Sequence, residues 1–174
     1  MLKKSFFYFL LILLLIFSKS YAENNLSTSF TKSFNPQKFP QTAQFYDAKE
    51  NTVNLSDFSG KVIVLNFFKA TCRTCLIELP SLNSLAEKYP EIKVIAVSEG
   101  EETAELVENV LHRERRLNKI DVSLDKNQAL MKLMGGGKVP QTYLIDKDGL
   151  IRGHIQGGAD FNAPTIHEQI ENLF

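Results

Sequence analysis

Two cysteines, Cys72 and Cys75, stand two residues apart in KATCRTCLIELP and are the only thiols in 174 residues. A pair at this spacing can form one short disulfide, and a thiol at the start of a helix faces the positive end of the dipole and free backbone N–H groups. Both favour thiolate and draw its pKa below the usual value of about 8.5. Cys72, at the opening of the segment, is the expected nucleophile. Cys75, one turn deeper, is the expected resolving thiol, near enough to attack a mixed disulfide and shielded from bulk substrate. The competing reading is a static structural disulfide or two inert thiols. Glu78 follows Cys75 at i+3, so the two share a helix face. Desolvation there would raise the carboxyl pKa and let it exchange a proton with Cys75 near neutral pH; on a solvated face it would be an ordinary surface glutamate. Arg73, between the cysteines, either supports a thiolate or sits in solvent.

The elements that must hold these groups are legible around them. KVIVLNFF is a nearly continuous apolar run with β-branched residues, as buried strands have. From Cys72 to about Lys88 the spacing predicts a helix whose inward stripe is Cys75, Leu79, Leu82, Ala86 and Tyr89, with Pro80 expected to kink it. Upstream, QFYDAKENTVNLSDFSG reads as a small hairpin and a turn at Gly60. Downstream, IKVIAV is a second buried strand and TAELVENVLHRERRL an amphipathic helix. DVSL adds a short edge, and NQALMKLM a helix ending at Gly135, Gly136 and Gly137. TYLID, the turn KDG and LIRGHI make a hairpin. A last helix starts near Asn162 with Pro164 in its first turn. This order implies an α/β fold, a mixed sheet covered by helices.

The N-terminus speaks to compartment. Lys3 and Lys4 precede an apolar run from Phe6 to Phe17, and Ser20 and Ala22 flank a cleavage point, as in a secretory signal peptide at residues 1–22. A retained membrane anchor is the rival reading, although the run is short against the roughly 20 residues a spanning helix needs. No cysteine directly follows the run, which excludes a lipoprotein anchor. The whole chain carries 20 basic and 20 acidic residues. Loss of residues 1–22 removes three lysines and leaves 17 basic against 20 acidic, which argues against a nucleic-acid binder. Residues 23–40, rich in Ser, Thr, Asn, Gln and Lys, read as a flexible or loosely docked leader, whose Phe30, Phe34 and Phe39 could instead lie on the domain surface. Residues 41–174 are the expected single domain.

A buried strand, a Cys-x-x-Cys opening a helix, Val139-Pro140 more than sixty residues later, and a closing strand-turn-strand and helix together resemble the thioredoxin fold. Within it, GKVIVLNFFKATCRTCLIELP, VPQTYLIDKDGLI and GGADFNAP are similar to segments of the TlpA-like and ResA-like extracytoplasmic thiol-disulfide oxidoreductases, and the resemblance covers roughly residues 41–174. Phe68 and Thr71 stand where that family usually has tryptophans, and Asn66 stands where cytosolic thioredoxins have an acid. The resemblance implies a thioredoxin fold with an N-terminal β-hairpin extension, proton handling by Glu78, and a cis Val139-Pro140 bond that packs against the cysteine pair and offers a substrate an edge of backbone. Val139, Pro140, Thr71 and Arg73 are thus the expected client-binding positions. It also implies a periplasmic enzyme with no cofactor beyond its own disulfide, more readily a reductase than an oxidase. Its clients would be exported proteins with cysteine pairs, in cytochrome c maturation or respiratory copper-site assembly, and a membrane thiol reductant would be its donor. A copper chaperone using the same cysteines, joined by His112, His154 or His167, is the alternative from another class. The basic run Arg113, Arg115, Arg116 and Lys119 reads first as a solvated helix face.

Overall fold

The computed structural model describes residues 30–174, apart from 34 and 41. The expected signal segment, residues 23–29 of the expected leader, and Phe34 lie outside the described residues. In chain order the strands are β1 (Thr31–Lys32), β2 (Gln44–Asp47), β3 (Thr52–Asn54), β4 (Ile63–Phe68), β5 (Lys93–Glu99), β6 (Ser123–Asp125), β7 (Gln141–Ile145) and β8 (Ile151–Gln156). The helices are α1 (Arg73–Lys88), α2 (Ala104–Glu108, running into a π-helical turn, Asn109–Glu114), α3 (Ala129–Leu133) and α4 (Pro164–Glu171).

All eight strands form one mixed sheet in the order β1-β8-β7-β4-β5-β6-β2-β3. β4 is parallel to β5 and antiparallel to β7. Every residue of β4 is buried, because it lies mid-sheet with apolar layers on both faces. Alternation along the strand sends Val64 and Phe68 to the layer that holds Cys75, Leu79 and Leu82 of α1, and Ile63, Leu65 and Phe67 to the layer that holds Leu130 and Met131 of α3. Asn66 lies between Val64 and Phe68 in this alternation, so its side chain faces α1.

α1 runs unbroken through Pro80 and buries Cys75, Glu78, Leu79, Ser81, Leu82 and Leu85. The buried face is wider than the predicted stripe, with Leu85, Glu78 and Ser81 added to it. Each of the three leucines contributes about 1.5–3 kcal/mol by its burial. These side chains fix the helix, and with it the cysteines at its first turn, against the sheet.

Two expectations need correction. DVSL is not an edge: β6 pairs with β5 on one side and with β2 on the other, because the N-terminal hairpin extends the sheet beyond it. The described part of the leader is not flexible chain but docked structure. β1 pairs with β8, and Phe39 is 5% exposed against Gly149, where an added Cβ would meet its ring at 2.8 Å. A Cβ at Gly153 would likewise overlap the ring of Phe30. The glycines of the last hairpin leave room for two aromatics, and the burial of Phe39 and partial burial of Phe30 hold the segment down.

Candidate active site

The turn from the end of β4 into α1 delivers the disulfide. Cys72 caps α1 with extended backbone, and its Sγ accepts the Cys75 N–H at 3.2 Å. The two cysteines are joined in a disulfide, their Cα atoms 5.3 Å apart. Cys72 is partly exposed, whereas Cys75 is fully buried. The first cysteine therefore stands as the less buried of the two at the positive end of a 16-residue helix, where anionic sulfur is favoured. The second faces only protein.

Behind Cys75 lies a nest of polar groups inside the apolar layer. Glu78 is fully buried. Its Oε1 accepts from Asn66 Nδ2 at 2.8 Å and its Oε2 from the Ala159 N–H at 2.9 Å. Asn66 Nδ2 also reaches Thr142 Oγ1 at 2.9 Å. Burial pushes the Glu78 carboxyl up to about 7, although the Ala159 and Asn66 hydrogen bonds favour its charged form. One turn on, Ser81 Oγ donates to Glu78 O at 2.7 Å and accepts the Phe161 N–H at 3.0 Å. The loop before α4 is thereby tied to the helix that carries the cysteines. A carboxyl that titrates near neutrality, one turn along the helix from a buried thiol, has the chemistry to take and return a proton.

Val139-Pro140 is cis. It directly precedes β7, whose Gln141 pairs with Phe67, so the peptide sits at the end of the sheet where β4 gives way to the disulfide turn. Val139 packs against the same apolar cluster as Cys72 and Cys75, and Pro140 is buried. Thr71 and Arg73 are both exposed on either side of Cys72. Phe68, in place of an expected tryptophan, is fully buried.

The three histidines are not gathered at the cysteines. His112 Nε2 lies 2.9 Å from Ile120 O, His154 Nε2 lies 3.2 Å from Gln141 Oε1 and stacks on Tyr143, and His167 Nδ1 lies 2.9 Å from the Tyr89 hydroxyl. Among the described residues no three His, Cys, Asp or Glu side chains come together as a metal ion would need. Within the basic run, Arg113, Arg116 and Lys119 are exposed, and Arg115 donates from Nη1 to Leu76 O of α1 at 2.8 Å. A cavity of about 540 Å³ lies far from the disulfide, lined by Phe45, Phe58, Lys93, His112 and Asp121. Lys93 and Asp121 belong to the end of the sheet opposite the cysteines, where β5 begins.

Residues that the sequence reading missed are Thr142, Ala159 and Ser81 around Glu78. Only Asn66 carried a signal, as an amide inside an otherwise apolar strand. The others reach Glu78 or Asn66 across 76 to 81 residues, or work through a hydroxyl of a common type.

Residues 36–154 match the AhpC/TSA family. The chain is 34% identical to a thiol-disulfide oxidoreductase ResA of Bacillus thuringiensis over 113 residues, 64% of each chain, so it spans about two thirds of the length of the curated relatives it matches, just under that fraction. It is 30% identical to the ResA of Geobacillus thermodenitrificans over 121 residues, 68% of this chain and 67% of that one. Among solved structures it is similar to a thiol:disulfide interchange protein of the thioredoxin family from Chlorobium tepidum, at TM-score 0.64 and 19% identity over 79% of this chain and 99% of that one. It is also similar to the exposed lipoprotein thioredoxin of Streptococcus pneumoniae, at TM-score 0.62 and 24% identity over 75% and 98%. These two likenesses establish the thioredoxin fold.

Proposed function

This chain belongs to the AhpC/TSA family, and on that premise we propose that it is a thiol-disulfide oxidoreductase acting on protein clients outside the cytoplasm, where it keeps their cysteine pairs reduced. One observation carries the reading: a disulfide whose first cysteine is a partly exposed residue at a helix start while its second is buried one turn from a carboxyl that burial pushes up to about 7.

In the reduced protein, the Cys72 thiolate attacks one sulfur of a client disulfide. A Cys72–client bond forms, the client's own S–S bond breaks, and the displaced client sulfur leaves as thiolate and takes a proton. Cys75 then gives its proton to Glu78 and attacks Cys72 Sγ. The client's second sulfur departs as thiolate and takes a proton, which Glu78 can return, so two electrons and two protons have passed to the client. The Cys72–Cys75 disulfide seen here is then left for a membrane thiol reductant to reduce back to the dithiol. Val139 and Pro140 offer the client backbone an edge, with Thr71 and Arg73 flanking it. The protein's own disulfide is the redox group, without a metal or organic cofactor.

The periplasmic location rests on the apolar segment after Lys4, and the pneumococcal neighbour is itself described as an exposed lipoprotein. Apocytochrome c and copper-site assembly proteins are the client classes that the family likeness favours. The copper-chaperone alternative gains no support from histidines bonded elsewhere.

Non-reducing electrophoresis of periplasmic extracts tests the order of attack. Cys75→Ser leaves the first step and blocks the second, so clients accumulate covalently on Cys72; Cys72→Ser abolishes activity and trapping together. Equal trapping by both variants overturns the assignment. Alkylation trapping in cells tests direction, with a mainly reduced pair expected and a mainly oxidised pair pointing to an oxidase.

A further inference from the structure

The acidic stretch Glu99–Glu102 is unused by this mechanism, yet it holds the turn that carries Cys72. Two grips come from it. The carboxylate of Glu102 takes the Ala70 N–H, with Oε2 at 2.9 Å and Oε1 at 3.0 Å, and also accepts from the Ser98 hydroxyl. Glu99, 4% exposed at the end of β5, holds Lys69 Nζ at 2.8 Å. Lys69 and Ala70 are the first two residues of the β4–α1 turn, and the Cys72 N–H closes that turn onto Lys69 O at 3.0 Å. The chain can double back in this way because Gly100 has φ +98°, with its N–H on Asp125 O at 3.0 Å. Thr103 then caps α2 through the Leu106 N–H at 3.2 Å, so Glu102 is fixed from both sides.

We propose that Glu102 is a positioning residue for the Cys72 thiolate. It secures the backbone two residues upstream and keeps Cys72 at the helix cap, where its sulfur receives the Cys75 N–H. The proposal rests on the reading of Cys72 as nucleophile. Its action opposes that of its own charge. A nearby carboxylate by itself disfavours a thiolate, whereas a carboxylate that holds the turn favours it through the helix end. Without Glu102, the Ala70 N–H, in a residue 8% exposed, is left as a buried donor without its partner. The turn then loosens around Lys69 alone.

The two roles predict opposite signs. In a Cys75→Ser background, the pKa of Cys72 is read from thiolate ultraviolet absorbance and its reactivity from the alkylation rate near neutral pH. Glu102→Ala is expected to raise the pKa and slow alkylation about fivefold, the loss of roughly one hydrogen bond transmitted to the sulfur. Glu102→Gln keeps an acceptor oxygen and is expected to restore most of the wild-type rate. Ser98→Ala, which frees one side of Glu102, moves the pKa the same way by less. A lowered pKa in both Glu102 variants reduces Glu102 to a point charge and overturns the proposal, as does an unchanged pKa in Glu102→Ala. Amide exchange at Ala70, measured by NMR in the oxidised protein, is expected to accelerate in Glu102→Ala and to stay protected in Glu102→Gln. Protection unchanged in both overturns the grip itself. A wild-type Cys72 without a depressed pKa would instead refute the nucleophile assignment, with the Ala70 exchange still reporting on the turn.

Discussion

Glu78 and Asp125 are buried carboxyls on opposite faces of one sheet, and burial raises both above their ordinary values. Their partners differ. Asp125 Oδ1 and Oδ2 accept the N–H groups of Leu130 and Met131 at 2.8 Å each, five and six residues ahead, so it caps α3. Glu78 is held by an amide side chain from β4 and a backbone N–H from the loop before α4, and it shares its helix face with a buried sulfur. A raised pKa is thus no sign of function by itself. What separates the two is whether a group that must gain or lose a proton lies within the same nest.

The widest separation is expected in stability. Asp125→Ala leaves two helix N–H groups without their acceptor and should cost roughly 2–4 kcal/mol in urea unfolding, with thiol exchange per folded molecule unchanged. A variant that unfolds no more easily, or that loses exchange while folded, would erase the contrast.

Next comes the pH dependence. The folded protein keeps the Glu78 proton up to about pH 7, while the unfolded chain releases it near 4.5. The folded state therefore binds the extra proton between those values, and stability falls by about 3 kcal/mol as pH rises across the window. Below the window both states are protonated; above it the loss is complete. Glu78→Gln should flatten this slope; what remains is the contribution of Asp125, which has the same sign, and that of His154 and His167, whose lowered pKa values act with the opposite sign as pH rises through the imidazole range. Unfolding curves across the window check it, and an unaltered slope would place the proton elsewhere.

Glu78→Gln should also slow dithiol exchange near neutral pH by at least about tenfold while the fold persists, because the amide keeps the shape and cannot carry the proton. Stopped-flow exchange with a model disulfide reads it, and an unchanged pH profile would remove Glu78 from the proton path. The smallest effect belongs to the far end of the sheet. His112→Ala, in the 540 Å³ cavity, should leave the exchange rate within about twofold, as it loses one bond to Ile120 O remote from the sulfur; a larger drop would tie that cavity to the chemistry.

Local pattern made much of this legible. The apolar run of β4, the cap and periodicity of α1, the two-cysteine spacing and the last hairpin are each written within twenty residues, so the sequence alone determined the α/β framework, the disulfide and the side of α1 on which Glu78 lies. The helix period could put Glu78 only at the edge of the buried stripe. Its complete burial was decided by β4 and the 158–163 loop closing over it.

The same holds for the other features that sequence left open. β6 became an interior strand because a hairpin far earlier in the chain covers its free side, Tyr46 pairing with Leu124 and Asp47 with Ser123. Phe30 and Phe39 are docked because glycines in the last hairpin leave them room. Glu102 reads as one more charge in an acidic run, and it became a clamp on Ala70 only when parallel pairing brought the ends of β4 and β5 side by side. Side-chain period is a property of neighbouring residues, whereas a hydrogen bond across 32 or 81 positions depends on which strands the whole sheet sets next to one another.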